Sequence, residues 1–225
     1  MKLASPDEMR RQFQAEMAHL GEPLFMMKPS SDLDWLSNVS IGSEDWNAYA
    51  TGYKQAADIL VQHLDKSEFG TALGRFLLAY PAIFLYRHYI ELRLKELLIM
   101  SSHLLDKPVR LPKEHKILDI WNQVRSHLEY IDRNEAPEES RSSYEAIEAR
   151  LRELATADPD SISFRYPTDL KGKASIKGTR HLNLRQVKDV MQAISNLLDG
   201  ASTGLSEGLK MKNEMRQEIE QSYHV

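Results

Sequence analysis

Residues Tyr80 to Met100 read YPAIFLYRHYIELRLKELLIM, a helix-length apolar run with charges set into it. This segment constrains the fold more than any other. At about 100° per residue, take Arg87 as zero. Glu91 then falls near 40°, Lys95 near 80° and His88 near 100°, all on one arc by the same ~100° step. Phe84 and Leu98 fall inside that arc. Ile83, Ile90, Leu94 and Leu97 flank one side of it, and Leu85, Leu92 and Ile99 flank the other. The remaining sector holds Tyr89, Arg93 and Glu96, which this geometry assigns to solvent. The Arg87–His88–Glu91–Lys95 stripe therefore points inward or into an interface. Charges there cost several kcal/mol unless paired.

A chain of 225 residues can bury a sizeable core as one large domain or two small ones. The formal net charge of −4 argues against nonspecific coating of nucleic acid, but a local basic site stays compatible with it. Cysteine is absent, which excludes disulfides, thiolate metal sites and Cys nucleophiles. The segment MKLASPDEMRRQFQAEM has no apolar signal core. The longest charge-free apolar run, Phe76 to Tyr86, is too short for a bilayer, which needs roughly 20 residues. The expectation is a cytoplasmic protein without a membrane span.

Ser5-Pro6-Asp7-Glu8 predicts a helix start, continuing to about His19. Gly21 to Ser43 reads as an irregular strap. Ser43-Glu44-Asp45 caps a helix to about Leu64 whose buried face is Trp46, Tyr49, Tyr53, Ala57 and Leu60. The central helix runs from about Phe69 to Leu104, with a kink or break expected near Leu77 to Tyr80 because of Pro81. After the linker Asp106–Lys113 comes a helix from His115 to Asp132 with Ile117, Ile120, Trp121, Val124 and Leu128 on one side. Past a polar loop at Asn134–Ser140, a helix over Ser142–Ala157 carries Ile147, Leu151 and Leu154.

Ser161 to Pro167 alternates polar and apolar residues and predicts a strand, as does His181-Leu182-Asn183-Leu184. Between them lies DLKGKASIKGTR, a basic loop. Asn183 caps a helix over Leu184–Leu198 with Val187, Val190, Met191, Ile194 and Leu197 buried. Gly200–Gly204 reads as a break before a peripheral helix. The expected fold class is all-α: a helical bundle with a small β-hairpin insertion. Its parts are N-terminal helices and strap over residues 1–68, a helical core over 69–200 with the hairpin at about 161–184, and a C-terminal helix over 201–225.

Arg87→Glu91 and Glu91→Lys95 are four-residue pairs within reach on one helix face. One reading is a buried salt-bridge ladder that fixes register. Another is an anion site in which Arg87 and Lys95 bind, Glu91 orients Arg87 and His88 moves a proton. A third sets the stripe at a dimer interface. In the predicted strand Arg165 and Tyr166 face opposite ways, so that Arg165 reaches Glu91 or a phosphate or Tyr166 packs inward. Lys171, Lys173, Lys177 and Arg180 form the dense basic run, either a solvated loop or a grip on RNA backbone. The chain has no His-Glu-x-x-His, no paired Glu-x-x-His units, no phosphate-binding Gly motif and no Ser elbow. No metal and no cofactor is implied.

The segment FLYRHYIELRLKELL resembles the first long core helix of the HEPN superfamily. Many members show an Arg-His pair, an acid three residues after the His and a Lys four residues further on. Arg87, His88, Glu91 and Lys95 match that pattern. His115 opening a helix that contains Trp121, and Phe164-Arg165-Tyr166-Pro167 before a basic loop, resemble features of similar proteins. The resemblance covers about Phe69 to Leu198. It implies a helical bundle that dimerises and binds RNA or a nucleotide, or a metal-independent ribonuclease of a toxin or phage-defence system. It also implies partner proteins such as an antitoxin or a nucleotidyltransferase, or a non-catalytic dimeric interaction module. Ribonuclease members carry an Arg, four to six residues, then a His. Here only Arg110-Leu-Pro-Lys-Glu-His115 fits, and Arg87 has no His at that distance. The resemblance thus nominates His88 or His115 for proton transfer, with Arg87, Lys95, Arg110 and Arg165 on phosphate and Glu91 and Tyr166 orienting.

Overall fold

The computed structural model describes residues 5–11, 37, 45–66, 71–112, 115–132, 138–169, 171–176 and 181–222. The chain divides into two units, Met1–Ser43 and Glu44–Val225. In the first, residues 6–11 are helical (α1). The Glu8 N–H donates to Ser5 Oγ at 3.2 Å and the Ser5 N–H donates to Glu8 Oε2 at 2.7 Å. This reciprocal capping box satisfies two donors at the helix start, as the Ser-Pro-Asp-Glu pattern implies. The rest of that expected helix, and the strap apart from residue 37, lie outside the described residues.

The second unit holds α2 (Trp46–Lys66), α3 (Ala72–Leu104), α4 (Ile117–Ile131), α5 (Glu138–Ala157) and α6 (Leu184–Ser222). Among the described residues it is all-helical apart from turns and one isolated antiparallel bridge, Thr168 to Ala174. α3 is the hub: α2, α4 and α6 all pack on it, and α5 packs on α4. Thr71 starts α3 by accepting the Gly74 N–H at 3.1 Å. The helix then runs through Pro81 unbroken, so of the kink or break expected there the break is absent. Proline deletes only one backbone donor, and the residues on both sides of it stay helical.

From Pro81 onward α3 is buried nearly all round, which overturns the assignment of Tyr89, Arg93 and Glu96 to solvent. Tyr89 is 0%, Arg93 4% and Glu96 8% exposed. The covering helices bring partners for these groups. Arg93 pairs with Glu96 Oε2 at 2.5 Å and with Asp199 Oδ1 of α6 at 3.0 Å, and donates to Asn47 Oδ1 of α2 at 2.9 Å. Ser195 donates to Asp199 at 2.7 Å and Ser202 to Glu96 at 3.2 Å. Burial resists the Arg93 charge, but Glu96 and Asp199 outweigh it and push its pKa above the ordinary arginine value. Period-3.6 arithmetic finds two polar faces on this helix but does not say which one water reaches.

α4 buries Ile117, Ile120, Trp121, Val124 and Leu128, the face read from the sequence. α5 buries Ile147 and Leu151. On α2 the buried positions are Ala50, Ala57, Val61 and Leu64, so the core face is turned by roughly 60° from the Trp46–Tyr49–Tyr53 line. Small alanines let α2 approach α3 closely, and the bulky rings sit at the margin. On α6 the same slip makes Leu198, not Leu197, the core residue.

α6 begins where Asn183 Oδ1 accepts the N–H groups of Arg185 and Gln186 at 3.1 and 3.2 Å. Asn183→Ala removes this cap and should lower stability by about 1 kcal/mol, read from the urea midpoint. An unchanged midpoint would mean the cap contributes nothing.

The helix continues through Gly200 and Gly204 to Ser222, so the expected break is absent. Two glycines cost about 1 kcal/mol each in a helix interior. Tertiary contacts offset that: Leu205 is buried, and Lys212 Nζ donates to the carbonyls of His103 and Leu104 at 2.8 and 2.7 Å. Lys212 thus caps the C-terminus of α3, where a cation is favoured. Lys212 and Arg216 also pair with Asp106 at 2.7 and 2.6 Å. At Gly208 the α6 backbone passes close to Leu104, whose Cδ2 would lie 3.3 Å from an added Cβ.

The stretch expected as a strand is a turn instead. Asp158 follows α5 and is fully buried. Its Oδ1 accepts the N–H groups of Ile162 and Ser163, each at 2.8 Å. The N–H groups of Arg165 and Tyr166 both donate to the Ile162 carbonyl at 3.0 Å. Ser161 takes a positive φ of 59°, an unfavourable conformation for a non-glycine residue, and these bonds hold it there. A short polar side chain that binds backbone amides has won over strand alternation.

Candidate functional site

The site grows from the Arg87 guanidinium, which is 0% exposed. The i, i+4 spacing on α3 places Glu91 one turn away, and Arg87 Nη1 donates to Glu91 Oε2 at 3.1 Å. Nη2 donates to the backbone carbonyl of His115 at 2.6 Å, in the segment leading into α4. Nε faces Asp158 after α5, 3.3 Å from its carbonyl oxygen and 3.3 Å from Oδ2. One guanidinium fork therefore ties together three stretches of chain.

Glu91 faces outward from that pin. Its side chain is 1% exposed, and its Oε1 receives Lys95 Nζ at 2.7 Å and His115 Nδ1 at 2.8 Å. Burial works to raise the Glu91 carboxyl, but the bonds from Lys95 and His115 outweigh it and hold the pKa below the ordinary carboxylate range. An ionised carboxylate only accepts, so His115 Nδ1 carries a proton. The neutral ring then has its lone pair on Nε2. Lys95 is 16% and the His115 side chain 52% exposed, so the network opens to solvent at these two residues. Its inner end is closed and its rim is wet.

His88 does not share this network of bonds. Its ring stands edge-on to Tyr53 at 4.4 Å and stacks on Phe84 at 5.8 Å. Burial lowers its pKa below the ordinary 6.5; Glu91 opposes the shift, and Lys95, Arg87 and His115 add to it. A histidine whose folded pKa is depressed binds its proton more readily when unfolded. Its contribution to stability is complete above about pH 6.5 and is lost as pH falls towards the folded value. Wild-type stability should therefore decline on acidification below 6.5, before the ordinary carboxylates titrate. His88→Phe keeps an aromatic ring and should flatten that limb, as read from urea midpoints between pH 4.5 and 7. An identical slope in the variant would assign the limb elsewhere.

The other sequence candidates fall apart from the pin. Arg110 is exposed in the stretch after α3, and residues 113–114, between it and His115, lie outside the described residues. Arg165 does not pair with Glu91; its Nε donates to the Ser161 carbonyl at 2.7 Å. Arg165 and Tyr166 are both exposed. Lys171 and Lys173 are exposed in a turn organised by Asp169, whose Oδ1 accepts both their N–H groups at 2.8 and 2.9 Å. Lys177 and Arg180 lie outside the described residues.

Sequence reasoning missed Asp158. Its signal was the Asp158-Pro159-Asp160-Ser161 run after an amphipathic helix, an Asx-type turn pattern that only the fold aims at Arg87. Among the described residues, no cluster of three or more His, Asp or Glu could hold a metal ion, and no helix is long and apolar enough to cross a membrane. No known protein family, curated protein or solved structure matches this chain.

Proposed function

We propose that this chain is a HEPN-like helical protein that acts on RNA at the Lys95–His115 rim, as an endoribonuclease of a toxin or phage-defence kind. The observation that carries the reading is the 2.8 Å contact between His115 Nδ1 and Glu91 Oε1 on a half-exposed ring. A buried carboxylate on Nδ1 fixes the tautomer and leaves the lone pair on Nε2 of a half-exposed ring, the arrangement a general base needs. His115 Nε2 would take the proton from a ribose 2′-hydroxyl. That oxygen attacks the adjacent phosphorus and the 5′ oxygen leaves, taking a proton from water. Lys95 would stabilise the charge on the phosphoryl oxygens. Arg87 would act through position only, since it is sealed and paired.

The reading is tested by incubating labelled RNA with wild type, His115→Ala and His88→Ala, each checked for folding. Cleavage should disappear in His115→Ala and persist in His88→Ala. Absence of cleavage by the wild type, or equal cleavage by all three, would sink the ribonuclease proposal.

The sealed Arg87 favours a second reading. A fully buried cation paired with Glu91, Asp158 and a carbonyl is what a structural lock requires. On that reading the chain is a non-catalytic, homodimeric interaction module docking a partner such as an antitoxin or nucleotidyltransferase. It predicts no cleavage in the same assay. A cytoplasmic location goes with either reading.

A further inference from the structure

The loop that closes over Arg87 also builds a feature that the proton-transfer rim does not use. The Arg165 guanidinium carbon lies 5.6 Å from the centre of the Phe84 ring and 5.6 Å from the centre of the Tyr166 ring. The assembly is exposed: Tyr166 is 56% accessible, and Arg165 is open to solvent too. A mobile surface arginine would make such contacts weak. This one is held. Arg165 Nε is bonded to the Ser161 carbonyl, and the backbone N–H groups of both residues are bonded to Ile162. The turn itself is fixed by buried Asp158, which meets Arg87. Among the described residues the two η nitrogens of Arg165 carry no hydrogen bond. An exposed cation and an exposed ring are thus held in a set geometry with their outer surfaces open to solvent.

The platform lies on the same side of α3 as the rim. Phe84 stacks on His88, one turn further along the helix, and His88 is within electrostatic reach of both Lys95 and His115. Arg87 bonds the loop that carries Arg165 and Tyr166 and also the segment that carries His115. Aromatic and guanidinium planes beside a lysine and a histidine match a ligand with a flat π-face joined to a phosphate. A base in a duplex has both faces covered by its neighbours, whereas a base in a single strand can leave the stack.

We infer that Arg165 and Tyr166, backed by Phe84, form a stacking subsite for one unpaired nucleobase of a single-stranded RNA whose adjoining phosphate lies at the Lys95–His115 rim. The inference rests on the RNA reading above and adds its substrate class. Arg165 then acts through its plane and positive charge, not as a partner of Glu91.

The test is fluorescence anisotropy with a short fluorescein-labelled 2′-O-methyl RNA, which lacks the free hydroxyl needed for cleavage, as single strand and as duplex. Wild type should bind the single strand and prefer it to the duplex. Tyr166→Ala should weaken single-strand binding about tenfold, as loss of one stacked base does. Tyr166→Trp, which keeps a π-face, should stay within about twofold of wild type on the same scale. Arg165→Ala should weaken binding in the same direction as Tyr166→Ala. Each variant is checked by thermal melting. If Lys95→Ala weakens binding while Tyr166→Ala and Arg165→Ala do not, the stacking subsite is wrong and the rim reading stands. Equal affinity for duplex and single strand also overturns the subsite. If wild type binds neither RNA, the RNA reading falls and this inference falls with it.

Discussion

Arg87→Met lowers the stability of the Glu44–Val225 unit by about 3–5 kcal/mol, the usual cost of breaking a buried ion pair from one side. Methionine fills much of the volume, so little of the loss comes from a cavity. The loss comes from what is left behind. Asp158 keeps its two backbone donors on Oδ1, but Oδ2 loses the cation 3.3 Å away in a fully buried position. Glu91 keeps Lys95 and His115 on Oε1 and loses its partner on Oε2. The His115 carbonyl loses its 2.6 Å donor. Arg87→Lys should fall between wild type and Met, because one ammonium replaces the charge but cannot span three acceptors. Urea unfolding decides the matter. A loss below about 1 kcal/mol, the range of an exposed pair, would show that the pin is not the lock its burial implies.

His115→Ala should lower RNA cleavage by about 10²–10⁴-fold, the range for loss of a positioned proton-transfer group, with the fold intact. The two effects separate because Arg87 is bonded to the backbone carbonyl of His115, which alanine retains. The lost ring is half exposed, so little core packing goes with it. Added imidazole can enter the space that the ring leaves and should restore part of the rate. Rescue distinguishes missing chemistry from a damaged fold. A variant that is slow, folded and not rescued would make His115 a positioning residue at most.

Much of this architecture was legible in the sequence, and the failures share a physical cause. The α4 face, the Asn183 cap and the helix start at Ser5 are local patterns, and local chemistry decides them. The inward direction of Arg87 and Glu91 was also legible, since an apolar surround on one helix is a local fact. Tyr89, Arg93 and Glu96 were assigned to solvent because their partners, Asp199, Asn47 and Ser202, sit on helices far away in sequence. The Ser161–Pro167 alternation suggested a strand, yet Asp158 captured the amides first. The His115 ring could be nominated but not placed. Its carboxylate partner is 24 residues earlier, and only the packing of α4 on α3 brings them together.

The three-way grip of Arg87 also implies an order of loop closure. Its bond to Glu91 closes within one helical turn, its bond to His115 spans 28 residues and its bond to Asp158 spans 71. Loop-closure entropy grows with the logarithm of length, so the longer loop costs roughly 0.8 kcal/mol more than the shorter. On loop entropy alone the helical contact should form with α3, the α4 segment next and the turn after α5 last. In that order one side of the guanidinium would stay hydrated until the last loop closes. Dehydration of this cation is thus deferred until every acceptor that compensates it is in place, and assembly need not pass through a state with a bare buried charge.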